Sequence, residues 1–136
     1  MKRVMCVDIG EKRIGIAVSD PLGITAQGVE TYTRTGENDA KYIADKAKSL
    51  SADLIVSGLP LNMNGTEGPA AQTVRAFMDE VAALGLPIAF QDERLTTVSA
   101  ERTLLEADMS RQKRRQVIDK LAAVYILRAY LDTHKI

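Results

Sequence analysis

Apolar residues run without a break over residues 4–7, the pattern of a strand covered on both faces. The run ends in a carboxylate, Asp8, and Gly10 and Glu11 then turn the chain. Ile14, Ile16 and Val18 alternate with Gly15, Ala17 and Ser19, which predicts a second strand returning beside the first. Pro21 and Gly23 mark the next turn. Residues 24–33, rich in Thr, Val and Tyr, predict a third strand with Gly28 at a bulge. After a break at 36–39, Ala40, Ile43, Ala44, Ala47 and Leu50 recur at helical spacing to about Ser51. A short apolar strand follows at 53–57, then a loop from Gly58 through Pro60, Asn62 and Asn64 to Gly65.

The next helix is expected to start near Thr66, with Pro69 in its first turn. Its buried stripe is Ala71, Val74, Phe77, Met78, Val81 and Leu84, and Gly85 and Pro87 end it. Residues 88–91 read as a fifth strand that runs straight into Asp92, Glu93 and Arg94. Thr96 or Thr97 caps a helix to about Ala107, and residues 109–115 are expected as a mobile basic loop. The last helix, from Arg115 to about Asp132, carries the strongest helical signal in the chain.

This order gives an α/β domain spanning residues 1–136: three antiparallel strands, a helix, a strand, a helix, a strand and two helices. Right-handed crossovers make strands four and five parallel to strand one, so the sheet is mixed and flanked by helices. Composition adds limits rather than a function. No apolar run approaches a membrane span, no signal peptide is expected, and the lone Cys6 lies inside the first strand. A reducing, cytoplasmic setting is expected. The formal net charge is zero, so a polyanion must be held by a local basic patch. His134, two residues from the end, is the only histidine, and neither a Walker loop nor a dinucleotide glycine motif occurs. Histidine nucleases, Ser-His-Asp triads and His/Cys zinc sites are thereby disfavoured. Carboxylates remain.

Asp8 shares a strand face with Val4 and Cys6, where a charge needs a partner: a turn hydrogen bond or a metal ion. Asp92 and Glu93 point to opposite faces, so one of them turns toward the face of Asp8. Asp119 falls on the helix face of Ala122, Ala123, Ile126 and Tyr130, and an ion pair with Arg115, one turn earlier, is the alternative to a metal. Carboxylates gathered at one sheet edge suit Mg²⁺ or Mn²⁺, with open positions for water and phosphate. The cations Arg111, Lys113, Arg114 and Arg115 suit phosphate contact.

These residues carry a resemblance. The chain resembles, over essentially its whole length, the YqgF family of the ribonuclease H superfamily, bacterial proteins named as pre-16S rRNA nucleases or Holliday-junction resolvase-like proteins. Four blocks in order carry it: Asp8, Ile9 and Gly10 with Lys12 to Gly15 and Ser19-Asp20; Gly58 to Asn62 with Gly65; Asp92 to Thr97; and Ile118-Asp119 with Ala122-Ala123 and Tyr130-Leu131. The resemblance implies a ribonuclease H-like sheet of order 3-2-1-4-5, a divalent metal held by Asp8, Glu93 and Asp119, and a nucleic-acid substrate. The wider superfamily commonly ends its fourth strand in an acid, whereas this chain has Ser57, Gly58, Leu59 and Pro60 there. The expected activity is metal-dependent hydrolysis of structured RNA, in 5′ maturation of 16S rRNA. Lys12, Arg13, Arg94, Arg111, Lys113, Arg114 and Arg115 would grip phosphates, and Asn62 would orient substrate or water. A monomer or weak homodimer with ribosome-associated partners and no membrane contact is expected. The rivals are a resolvase acting on branched DNA, which needs a two-fold dimer, and a non-catalytic nucleic-acid-binding module.

Overall fold

The alternating pattern of the first two strands folds into a tight hairpin in the computed structural model, which describes residues 3–93 and 111–134 and, over 111–118, the backbone alone. Strand β1 (Val4–Ile9) pairs antiparallel with β2 (Arg13–Ser19), and the turn closes where the Gly10 N–H donates to the Arg13 carbonyl at 2.9 Å. Strand β3 (Ala26–Thr33) extends the meander. Helix α1 (Asp39–Ser49) then crosses to β4 (Leu54–Leu59), and α2 (Pro69–Ala82) crosses to β5 (Ile88–Asp92); both strands run parallel to β1. The sheet order is β3-β2-β1-β4-β5, as the resemblance implied. Helix α3 (Arg111–Thr133) covers the other face.

Strand β1 is central because it has no polar face until Asp8. Met5 and Val7 point into one core with Ile14, Ile16, Ile43, Ile55, Phe77 and Met78, beneath α1 and α2. Val4 and Cys6 point into the other with Ala17, Val56, Ala123, Ile126 and Leu127, beneath α3. Two glycines let α3 approach the sheet. A β-carbon at Gly15 would overlap the backbone carbonyl of Asp119, and one at Gly28 would lie 2.7 Å from Cγ of Lys120. The bulge expected at Gly28 is present: Ile16 pairs with Glu30 and Ala17 with Gly28, so Val29 is the extra residue.

Several boundaries differ from expectation, each for a local reason. Strand β3 starts at Ala26 because the Asp20 carboxylate accepts the N–H groups of Ile24 (2.7 Å) and Thr25 (3.0 Å) and holds them in the turn. Helix α2 starts at Pro69 because Thr66 bonds back to Asn64. Leu84 lies past the end of α2 and is 42% exposed, outside the stripe expected for it. Residues 111–115, expected as loop, form the first turns of α3. The helix expected to end near Ala107 lies outside the described residues, as do Arg94, Met109 and Ser110.

Candidate functional site

The C-terminal ends of β1, β4 and β5 make one edge of the sheet, and acidic residues come to it from β1 and β5. Asp8 lies near the end of β1, paired across to Gly15 and one step beyond the Val7–Ser57 rung that joins β1 to β4. Its parity with Val4 and Cys6 turns it to the α3 side. Glu93 follows β5 and shares the parity of Ala89, which packs in the same core; Asp92 shares that of Ile88 and Phe90, which pack in the other. Glu93 is thus the member of that acidic pair on the face of Asp8.

Strand β4 lies between these two acids and leaves room for Glu93. A β-carbon at Gly58 would overlap Oε1 of Glu93 and would lie 2.8 Å from Cδ1 of Ile126. The carboxylate of Glu93 therefore lies over the backbone of β4. Both acids act on one buried atom: burial, with the charges of Asp8 and Glu93, pushes the Cys6 thiol well above its usual range. Cys6 is fully buried, an inert core residue on the same face as the two acids.

Asp119 reaches the same edge from α3. Its backbone carbonyl rests on Gly15, the residue opposite Asp8, so this turn of the helix stands over the rung that carries Asp8. Its carboxylate Oδ2 accepts a charged hydrogen bond from Nε of Arg13 at 2.7 Å. The partner shown for Asp119 is therefore Arg13, from β2; the Arg115 side chain lies outside the described atoms. Among the described residues, no group of three or more His, Cys, Asp or Glu side chains stands together as a metal cluster. Asp8 and Glu93 share one face of the sheet on the strands that flank β4, and Asp119, tied to a guanidinium, rides on the helical turn over the rung of Asp8.

The remaining predicted contacts divide. Lys12 is exposed in the β1–β2 turn. Arg111, Lys113, Arg114 and Arg115 lie on the first turns of α3. Asn62 uses its amide inside its own loop, donating from Nδ2 to the Thr66 hydroxyl at 2.9 Å, while its backbone N–H meets the Thr66 carbonyl at 2.8 Å. Gly65, with φ of +87°, closes that turn where a side chain would be strained.

Sequence reasoning passed over Arg34. Its Nη1 donates to the Gly10 carbonyl at 2.8 Å, Nε faces Asp39 at 3.5 Å, and the guanidinium lies 5.0 Å over the Phe77 ring. It thereby ties the turn after Asp8 to α1 and α2, and lines a cleft of about 630 Å³ with Lys12, Thr33, Thr35 and Thr73. Nothing local in a Thr-Arg-Thr-Gly stretch signals such a hub.

Residues 2–133 match the family described as RuvX: Holliday junction resolvase. A Listeria monocytogenes protein that carries the provisional name of a pre-16S rRNA nuclease is 52% identical over 136 residues, covering 96% of this chain and 98% of its own. A Clostridioides difficile protein of the same name is 54% identical over 132 residues, covering 96% and 94%. Among solved structures, Thermus thermophilus RuvC in complex with a Holliday junction substrate superposes with a TM-score of 0.57 over 98% of this chain and 96% of that one. At 12% identity that is a likeness of fold, the ribonuclease H-like sheet.

Proposed function

Because the chain belongs to the RuvX Holliday-junction-resolvase family, we infer that it is a nuclease, and we propose that it cuts structured RNA in maturing the 5′ end of precursor 16S rRNA. One observation supports the chemistry: Asp8 and Glu93, on the strands that flank β4, share the α3 face of the sheet, and the Glu93 carboxylate lies over Gly58 of the strand between them. Like charges on one face of a sheet edge are eased by a bound cation.

The donors fit a hard divalent cation, Mg²⁺ or Mn²⁺: all are carboxylates, and Gly58 leaves the space a β4 side chain would fill. Asp8 and Glu93 would hold it, with Asp119 as the third ligand. When bound, such an ion neutralises phosphate charge and makes water a competent nucleophile at neutral pH. The chain's own residues do the rest. The stiff Asn62 loop and the hairpin turn bearing Lys12 flank the acids and orient the backbone that enters. Arg94, Arg111, Lys113, Arg114 and Arg115 would contact backbone phosphates. A cytoplasmic enzyme working with ribosome-associated partners, as a monomer or weak homodimer, fits this task.

The test incubates the protein with a labelled precursor rRNA 5′ leader and with a four-way DNA junction, with and without Mn²⁺. Mn²⁺-dependent cleavage of the leader is expected, and Asp8→Asn should abolish it while leaving the melting temperature and RNA affinity close to wild type. Full activity in Asp8→Asn would remove Asp8 from the site. The family description favours a second reading, resolution of branched DNA; paired symmetric cuts in the junction by a dimer, with the leader untouched, would select it.

A further inference from the structure

We propose that Arg13 is a latch on Asp119, and that its exchange couples divalent-ion binding to nucleic-acid binding. The proposal rests on the reading of Asp8, Glu93 and Asp119 as one site. The two residues it concerns were each expected to do something else, one to hold a metal and the other a phosphate. In the structure they hold each other, at 2.7 Å, with side chains 28% and 19% exposed.

Neither partner can leave by moving its backbone. Asp119 rides on a helical turn whose carbonyl is seated on Gly15, with no space for a side chain between. Arg13 is fixed in β2 opposite Thr33, and its carbonyl accepts the Gly10 N–H. The pair therefore opens only by rotation of the two side chains. The rung beneath Asp119 is the one that carries Asp8, so a turned Asp119 carboxylate faces the acids of the sheet edge. A turned Arg13 keeps a planar fork of donors suited to a phosphate.

Each charge then has two alternative partners. A cation bound at Asp8 and Glu93 competes with Arg13 for Asp119, and a phosphate competes with Asp119 for Arg13. Binding of either ligand releases the residue that the other needs. The two ligands consequently bind cooperatively, and the coupling is reciprocal. With both ligands absent, the latch neutralises the Asp119 carboxylate beside the acidic sheet edge.

The experiment is a double-mutant cycle with two binding readouts, neither requiring catalysis. Mn²⁺ affinity is measured by electron paramagnetic resonance, and affinity for the labelled rRNA leader in excess chelator by fluorescence anisotropy. The proteins are wild type, Arg13→Gln, Asp119→Asn and the double variant, each checked by thermal melting. Arg13→Gln should tighten Mn²⁺ binding at least about fivefold, and Asp119→Asn should tighten chelator-phase RNA binding by a similar factor. Both gains should disappear in the double variant, relative to the single variant that already lacks the partner. Arg13→Lys, which keeps the charge but not the fork, should fall between wild type and Arg13→Gln and serves if the latter does not fold.

Gains that persist undiminished in the double variant would overturn the latch, since they would report only the change in local charge. Unchanged Mn²⁺ affinity in Arg13→Gln would also overturn it. Asp8→Asn separates this from failure of the site itself. If Asp8→Asn loses both Mn²⁺ and cleavage while the cycle is additive, the nuclease reading stands and the latch falls. If Asp8→Asn keeps both, the reading and the latch fall together.

Discussion

Asp39 is a carboxylate placed where burial disfavours its charge, at the start of α1 and 6% exposed. Burial works to raise it, but the N–H groups of Thr35 and Gly36 and the hydroxyls of Tyr32 and Thr35 outweigh that and hold it at about 2. Its pKa is depressed when folded, so its contribution is complete above the ordinary carboxylate range of about 4 and is lost as the pH falls toward about 2. Asp39→Asn should cost about 1–2 kcal/mol at neutral pH and flatten the acid limb of stability, measured by urea unfolding across that window. The same loop presents Arg34 to the Gly10 carbonyl, so this carboxylate also steadies the turn beyond Asp8. The donors lie only three to seven residues before Asp39, yet the sequence marks 36–39 only as a break, because hydrophobic periodicity does not register a turn that folds its own N–H and O–H groups onto a carboxylate.

At the scale of elements, α3 meets the sheet through Gly15, and Gly15→Ala is the sharpest test of that contact. A methyl there overlaps backbone, which cannot rotate aside, so the helix must shift. A loss of about 2–3 kcal/mol in thermal or chemical unfolding is expected, with weaker Mn²⁺ binding because Asp119 moves with the helix. An unchanged stability would mean that α3 stands off β2. The strands and the body of α3 were legible because their apolar periods are long and clean: the run at Val4, the alternation from Ile14, the inward face around Ala122 and Ala123. The starts of β3 and α2 were not, since side chains of Asp20 and Asn64 capture backbone donors that propensity would give to the strand or helix. The start of α3 was hidden by a run of cations that reads equally as a loop or as an exposed helical turn.

Over the whole molecule, 18 basic and 18 acidic residues cancel, so nucleic-acid affinity must come from a local arrangement of cations. If about four phosphates are engaged, log affinity should fall with log salt at a slope of about −3 to −4. Replacing Lys113 and Arg114 together by Ala should reduce that slope by about 2, measured by anisotropy over a salt series. A slope unaffected by those changes would move the interface elsewhere. The sequence told of two acids at strand ends and one on a helix, because parity and helical pitch are local rules. It could not tell that Arg13 reaches Asp119, which depends on how the helix is set across the sheet. Gly58 has one more consequence. Positions 58 and 93 are two addresses for one volume: whichever strand delivers the carboxylate, the other must stay bare. Moving the acid onto β4 is therefore a paired change, with Glu93 cut short in the same step, and a chain bearing bulk at both would have to push one strand's passenger out of the site.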